Sequence, residues 1–396
     1  MNPKIFYLPS FVYVISFTSV LILYQIGWSN LFPKLNGLLI AFFAATIIIS
    51  FGLALVQKQY LNIRSSTATL SSGFIKRSLY FICIGYILDF AYESSVPIIK
   101  VFLVPSYSYD DFNGIPTFHV ILGTFNIFFS ISMFDNYLSV KKRKKLLIFL
   151  FTLLPFILII NRGAIMIVFS AMIFLFLFRL KVITLKKIFI PFFVLGLVLY
   201  LFGLVGNLRQ EQTKDDKEYL LRVAGATDSF IQSGVPTEFY WSYIYLISPI
   251  GNLQNIIDEK SDGFHSSDVG LFMTTQLFPD FISKRLVALF GQEKLLEDVE
   301  SSKYLVTPLL NAPTVYYGSY LLLGSLGLVL MYIVIALSCL IYPFLVNKDS
   351  VYYFTSIASL NSIILLSTFN NMWYATGTIM LWPILLSLLQ KIKFRD

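Results

Sequence analysis

Ten stretches of mostly apolar residues alternate with polar segments along the chain. A helix needs about 20 apolar residues to cross the hydrocarbon core of a bilayer, and most of these stretches approach that length. The pattern therefore predicts an all-α polytopic membrane protein with about ten transmembrane helices. The predicted spans are residues 5–26, 36–56, 78–91, 118–138, 146–160, 162–178, 188–206, 315–344, 351–369 and 373–389.

One long polar segment, residues 207–314, interrupts this pattern and carries 15 of the 22 acidic residues. It divides the chain into a bundle of about seven helices at 1–206, a large loop at 207–314 and about three helices at 315–396. Within the loop, residues 240–257 and 271–281 are semi-apolar and aromatic, which is typical of amphipathic helices lying in the membrane interface. A re-entrant pair is the alternative interpretation, and it leaves both termini on the same side.

Lysine and arginine recur in every second polar segment. If the N-terminus is inside, the cytoplasmic segments contain 18 of the 30 basic residues and the short outer segments contain three. The positive-inside rule then places both termini in the cytoplasm and the large loop outside. The composition, 57% hydrophobic and 13% charged, excludes a soluble globular enzyme, a disordered chain and a disulfide scaffold. Because the net charge of +8 gathers on one predicted side, it indicates membrane orientation and not nucleic acid binding.

Arg162 is the most informative charged residue, because it stands between two apolar runs in the segment 161–164. An ionisable residue at membrane depth is costly and by default suggests a function. Its expected partner is an anion at the outer leaflet, such as a lipid-linked phosphate, and the alternative is an arginine that reaches the lipid headgroups. Arginine binds phosphate oxygens through a planar fork of donors. Arg209, Arg222 and Arg285 are therefore further diphosphate-binding candidates, with salt bridges to nearby acids as the alternative.

The candidate general bases are few. The chain has two histidines, His119 at the start of a predicted span and His265 in the large loop, and either imidazole can accept a proton near neutral pH. Glu211, Glu238 and Asp280 are carboxylate alternatives in the same loop. The sequence has no Gly-rich nucleotide loop, no zinc-type His/Cys cluster and no Asp-x-Asp site, so we expect neither a metal nor a nucleotide cofactor.

Aromatic side chains suited to stacking on sugar rings occur at two places. Tyr107 and Tyr109 stand beside the acidic pair 110–111, and Tyr240 and Trp241 begin the first semi-apolar stretch of the large loop. Because carboxylates accept hydrogen bonds from sugar hydroxyls, these residues are sugar-binding candidates. The alternative interpretation is an aromatic belt at the membrane interface.

Three local stretches, taken with the overall layout, suggest a family. Residues 161–163 open a span, residues 240–257 combine Tyr, Pro and Asn, and residues 311–314 lead into a helix that carries Gly324 and Gly327. With many spans and one large outer loop before the last helices, the chain resembles bacterial repeat-unit polymerases of the Wzy type, which make O-antigen or capsular polysaccharide. The layout is similar to the C-type glycosyltransferase architecture.

The resemblance implies a multi-pass protein of the bacterial inner (cytoplasmic) membrane that acts at its outer face. Such an enzyme transfers the growing glycan, carried on undecaprenyl diphosphate, onto a newly flipped lipid-linked repeat unit. It needs no cofactor beyond undecaprenyl diphosphate, which carries both substrate and product. The implied partners are lipid-linked oligosaccharides, membrane lipid, a chain-length regulator and a flippase, and nucleic acid is not among them.

Two other functions stay open at this point. A lipid-linked oligosaccharide flippase or another transporter predicts two comparable halves and short loops, whereas this chain has one long acidic loop. An O-antigen ligase uses a histidine in the large loop near the following helix, where this chain has Asn311 and Thr314.

Overall fold

The structure is a computed structural model that describes residues 3–61, 69–104, 107, 111–180, 200, 219–263, 266–297 and 301–393. Within these residues the chain is helical, with one isolated antiparallel bridge between Ser29 and Ala226. The helices of the N-terminal part are α1 (Pro9–Gln25), α2 (Gly37–Tyr60), α3 (Ser72–Tyr92), α4 (Pro97–Leu103), α5 (Phe118–Val140), α6 (Arg143–Leu158) and α7 (Arg162–Phe178). The later helices are α8 (Tyr219–Val223), α9 (Asp228–Ile231), α10 (Glu238–Glu259), α11 (Ser266–Gln276), α12 (Asp280–Leu289), α13 (Glu293–Glu297), α14 (Tyr317–Leu345), α15 (Tyr353–Leu366), α16 (Met372–Thr376) and α17 (Leu381–Lys393).

Among the described residues, five helical segments are long and apolar enough to cross a membrane, and three shorter apolar helices accompany them. The long segments are Gly37–Tyr60, Ser72–Leu103, Phe118–Val140, Tyr317–Leu345 and Met372–Gln390, and the shorter helices are Pro9–Gln25, Arg162–Phe178 and Tyr353–Leu366. The length and the apolar composition of these helices confirm the prediction of a helical membrane protein. The number of ten spans and the side of the termini stay predictions, and the predicted span 188–206 lies almost entirely outside the described residues.

The outward surfaces of α2, α3, α6 and α14 are apolar. Ile48, Ile87, Leu147 and Phe344, one from each helix, expose 71%, 64%, 65% and 58% of their surface. Extended apolar surface of this kind is unfavourable in water. These helix faces therefore fit contact with lipid tails.

Buried hydroxyl groups connect α1, α2 and α14 inside the bundle. The hydroxyls of Tyr13 and Tyr316 lie 2.7 Å apart, and the Tyr13 hydroxyl also donates to Thr46 Oγ1 at 3.0 Å. Ser50 and Tyr332 form a second pair, with 2.9 Å between their hydroxyl oxygens. Interhelical hydrogen bonds in membrane proteins contribute about 0.6–2 kcal/mol each, so the network fixes the relative positions of these helices.

The bundle has two chemically different ends. The first residues of α5 and α7 and the last residues of α3 and α6 meet at one end, called the Arg162 end below. The opposite end carries the basic residues next to the other termini of these helices, among them Lys76, Arg77, Lys141 to Lys145 and Arg179. There Arg179 forms an ion pair with Asp135 of α5 and donates to Ser139 Oγ at 2.8 Å.

Helix α14 folds back on itself at Gly324. This residue has φ +55° and ψ −144°, which a residue with a side chain rarely adopts. Asp262 caps the longer part of α14, because its carboxylate accepts hydrogen bonds from the Ser325 backbone N–H at 2.8 Å and from the Ser325 hydroxyl at 2.6 Å. These hydrogen bonds lower the pKa of the exposed Asp262 carboxyl. The single predicted span at 315–344 is therefore two helical parts joined by a sharp turn.

The helices between residues 219 and 263 pack onto the bundle through hydrogen bonds to the α1–α2 connection. The backbone N–H of Trp28 donates to the Tyr243 hydroxyl at 3.0 Å, and that of Asn36 donates to Gln254 Oε1 at 2.8 Å. Most of α10 is consequently buried against protein, although the sequence predicted an interfacial helix at 240–257. The predicted stretch 271–281 is interrupted before Asp280, where α12 begins after Pro279.

Candidate functional site

Arg162 begins α7, directly after a tight reversal of the chain. Ile160 has φ +56°, and the Asn161 side chain accepts a hydrogen bond from the Ala164 backbone N–H at 2.9 Å. This cap starts the helix at Arg162, whose side chain is exposed. The positive end of the helix dipole and the guanidinium therefore lie together at this position.

A cavity of about 700 Å³ opens beside Arg162 and is lined mainly by apolar side chains. We call it the large cavity. Six parts of the chain contribute to its wall: α5, α7, α10, the segment before α14, the end of α15 with the residues that follow, and α16. Its lining residues are Ile127, Asn161, Arg162, Gly163, Ala164, Met166, Ser242, Tyr245, Leu246, Asn311, Ala312, Pro313, Leu366, Phe369, Asn370, Met372, Ala375 and Thr376.

A second cavity, of about 350 Å³, borders the same turn. We call it the small cavity, and it is lined by Phe112, His119 and residues 159–163. The two cavities share Asn161, Arg162 and Gly163. Arg162 thus stands where an apolar chamber adjoins a chamber that contains a histidine.

The large cavity brings together the three stretches that carried the sequence resemblance. Residues 161–163, part of 240–257 and residues 311–313 all contribute to its wall. These stretches are far apart in the sequence. The geometry therefore supports treating them as one site.

Asn252 of α10 holds the segment that forms one wall of the large cavity. Its side-chain amide donates to the carbonyl oxygens of Leu310 at 2.7 Å and Ala312 at 3.1 Å, and its Oδ1 accepts from the Val306 backbone N–H at 3.0 Å. Asn252 is fully buried. One side chain therefore satisfies three backbone groups of the segment 306–312.

We expect Asn252→Ala to loosen this segment, because buried polar groups left without partners cost about 1–3 kcal/mol each. Hydrogen–deuterium exchange of the peptide covering 304–314 should become faster in this variant, while exchange in α5 stays unchanged. Asn255→Ala is the matched control on the same helix, since the half-buried Asn255 holds a single carbonyl of Tyr304, at 3.0 Å. Equal exchange in both variants would show that Asn252 does not organise the wall.

His119 and Asp89 form a hydrogen-bonded pair at the edge of the small cavity. His119 Nδ1 lies 2.6 Å from Asp89 Oδ2, and the Asp89 side chain is fully buried. The other carboxylate oxygen of Asp89 accepts from the Ile115 backbone N–H at 3.0 Å. Gly114, with φ +64°, lies so close that a Cβ there would be 2.7 Å from His119 Nδ1. The imidazole is thus fixed by an acid on α3 and by the loop before α5.

Two predicted site residues lie on α12, and neither contributes to the wall of either cavity. Asp280 accepts from the Tyr374 hydroxyl at 2.6 Å and pairs with Lys284, whose Nζ is 2.9 Å away. Arg285 donates to the Phe281 carbonyl at 2.5 Å and to the hydroxyl of Thr117, the residue that precedes α5. Arg285 therefore supports the end of the loop that leads into α5, two residues before His119.

Other predicted residues lie away from both cavities. Arg222 is exposed on α8 and Glu238 is half-buried at the start of α10, and neither lines a cavity. Tyr240 is fully buried, donates to the Ala224 carbonyl at 2.8 Å and packs on Phe230 with 4.6 Å between ring centres. Burial raises the pKa of Tyr240 to about 12, which keeps its hydroxyl a donor. The structure thus shows Tyr240 in packing contacts, and its predicted contact with sugar stays a prediction.

Trp241 is also largely buried, with 8% of its surface exposed. The Tyr107 ring lies under the Lys100 ammonium, with Nζ 4.7 Å from the ring centre. Arg209, Glu211, Tyr109 and His265 lie outside the described residues, so the predictions for them stay predictions.

The sequence analysis missed Asp89, although an acid within an apolar run is a signal that points to function or to a buried partner. In the part of the chain that the structure describes, no group of three or more His, Cys, Asp or Glu residues is placed to hold a metal ion. The site offers an arginine, a helix N-terminus and an apolar chamber, which together suit an amphiphile with an anionic head. No protein-family model, curated protein or solved structure matches this chain.

Proposed function

We propose that this protein polymerises polysaccharide repeat units, transferring a growing glycan from undecaprenyl diphosphate onto a second lipid-linked repeat unit. The reaction is proposed to take place at the outer face of a bacterial inner membrane, with the Arg162 end facing outward. O-antigen and capsular polysaccharide are the product classes. The proposal makes the protein a glycosyltransferase whose donor is already activated by its lipid diphosphate.

The observation that carries the proposal is the position of Arg162 between the two cavities. A transferase of this kind has to accommodate a donor and an acceptor on either side of a diphosphate. The large cavity, with its apolar wall and the side-chain amides of Asn311 and Asn370, suits a sugar and the first part of a lipid tail. The small cavity, with His119, suits a hydroxyl group of the other substrate.

The positive charge at Arg162 suits this transfer, because electrons move onto the departing diphosphate. Negative charge increases on the diphosphate as its bond to the anomeric carbon breaks. A preorganised arginine and a helix N-terminus stabilise such a charge most effectively where water is scarce. Arg162 supplies both features at one place, because it is the first residue of α7.

The test uses the purified protein in detergent–lipid micelles. The substrate is the undecaprenyl-diphosphate oligosaccharide extracted from a host strain that lacks this protein. We expect a ladder of two or more repeats on the lipid carrier, with one undecaprenyl diphosphate released for each linkage formed. Micelles have no second leaflet, so a flippase cannot give this product, and the mixture contains no ligase acceptor. Unchanged single-repeat lipid in the presence of folded protein would refute the proposal.

A further inference from the structure

We infer that His119, oriented by Asp89, is the general base that removes the proton from the attacking sugar hydroxyl. The inference rests on the proposed function and assigns a role that the proposal leaves open. The sequence analysis left this role open among the two histidines and the carboxylates of the large loop.

The Asp89 carboxylate fixes both the orientation and the tautomer of the imidazole. Its Oδ2 lies 2.6 Å from Nδ1, and its Oδ1 is held by the Ile115 backbone N–H at 3.0 Å. The carboxylate can accept a hydrogen bond, so the neutral ring carries its proton on Nδ1 and donates it to Asp89. The lone pair then resides on Nε2, which has no hydrogen-bond partner among the described residues.

The imidazole also lies where a base could reach a substrate hydroxyl, at the wall of the small cavity. His119 lines the small cavity together with Arg162, and 21% of its side chain is exposed. The ring of Phe112 contacts it edge-on, with 5.5 Å between ring centres. An acceptor hydroxyl in the small cavity would therefore lie between a base and the cation that stabilises the leaving group.

Four charged side chains lie around this cavity, on three different elements. Asp89 and Glu93 come from α3 and the residue that follows it, and Glu93 Oε1 accepts from the Gly114 backbone N–H at 3.0 Å. Arg162 comes from α7, and Arg285 of α12 reaches the loop through Thr117. Asp89 is the carboxylate that hydrogen-bonds to the imidazole.

The proposed step conserves atoms and electrons. The acceptor hydroxyl oxygen forms a bond to the anomeric carbon of the donor sugar, and its proton moves to His119 Nε2. The bond between that carbon and the diphosphate oxygen breaks, and its electron pair leaves with undecaprenyl diphosphate. The imidazolium, stabilised by Asp89, then releases the proton to water.

A purely structural pair is the competing explanation, because the same hydrogen bond would also anchor the loop 111–117. His119→Gln separates the two roles. The glutamine amide can still donate a hydrogen bond to Asp89, but it cannot take up a proton at working pH. Asp89→Asn removes the charge that orients the ring. Glu93→Gln is the matched control at the end of α3, because the glutamine oxygen can still accept from the Gly114 backbone N–H and the contact between Asp89 and the imidazole stays in place.

The experiment measures single-turnover elongation in micelles with the extracted substrate and, separately, the binding of undecaprenyl diphosphate. We expect His119→Gln to slow elongation by about 10²–10⁴-fold and to bind undecaprenyl diphosphate like the wild type. Asp89→Asn should also be slow, and the double variant should be no slower than His119→Gln, since Asp89 acts through His119. Glu93→Gln should keep the wild-type rate.

Three outcomes would overturn the inference. They are a wild-type rate in His119→Gln, losses that multiply in the double variant, and an inactive His265→Gln beside an active His119→Gln. The two proposals fail in distinguishable ways. Wild-type protein that makes no polymer refutes the polymerase and the base together, whereas an active wild type with an active His119→Gln refutes the base alone.

Discussion

Replacing Arg162 by alanine is expected to reduce glycan elongation by about 10²–10³-fold, the loss typical of removing one donor that stabilises a developing anion. The guanidinium lies between the two cavities, where the departing diphosphate is proposed to gain charge. Because the side chain is exposed, the variant should unfold at the same temperature as the wild type. Elongation rates in micelles and thermal unfolding of the same preparations check both statements.

Arg162→Lys and Lys303→Ala complete this experiment. Lysine provides a point charge without the planar fork, so it should restore a part of the rate but not all of it. Lys303 is exposed and lines neither cavity, so its removal changes the net charge of the surface and should leave elongation unchanged. Normal ladders from Arg162→Ala would remove this residue from the site, and full activity of Arg162→Lys would reduce its role to that of a general positive charge.

Arg162 could be identified from the sequence because its context is local. An arginine between two apolar runs is costly wherever the helices pack. The three stretches of the resemblance were also recognisable as separate motifs. Their meeting around one cavity was not, because nothing in a linear pattern gives the distance between residues 162 and 312.

The pairing of His119 with Asp89 is the contact that the sequence was least able to predict. The two residues lie in different predicted spans, 30 positions apart, and their contact depends on how far α3 and α5 are shifted along each other. Side-chain packing sets that shift. The apolar pattern predicts both helices but does not determine how far one is shifted along the axis of the other.

The surroundings of the aromatic residues of α10 could not be predicted from the sequence either. Tyr240 and Trp241 have the composition of an interfacial belt, yet both are buried. Asn252 and Gln254 place polar groups on two different sides of the same helix, and the structure satisfies them with protein groups from 306–312 and from Asn36. A sequence pattern shows that a helix has a polar side, but it does not show whether water or protein contacts it.

The turn within α14 provides the second prediction with a large effect. A Cβ at Gly327 would lie 1.9 Å from the Ser319 carbonyl oxygen and 2.6 Å from its carbonyl carbon, both of them backbone atoms. Backbone cannot move aside as the end of a flexible side chain does. Gly327→Ala should therefore force the two parts of α14 apart, at a cost of about 3 kcal/mol or more.

Gly52→Ala is the matched control for this experiment, since Gly52 lies within α2 and a Cβ there would meet nothing within 4 Å. Alanine at that position should stabilise the helix slightly, by about 0.5–1 kcal/mol, because it restricts the unfolded backbone. Thermal unfolding in detergent should separate the two variants, with Gly327→Ala unfolding well below the wild type. Similar unfolding temperatures would mean that the close approach of Ser319 to Gly327 does not hold in the folded protein. The shape of the wall at 311–313 would then need another explanation, because those residues lead directly into the shorter part of α14.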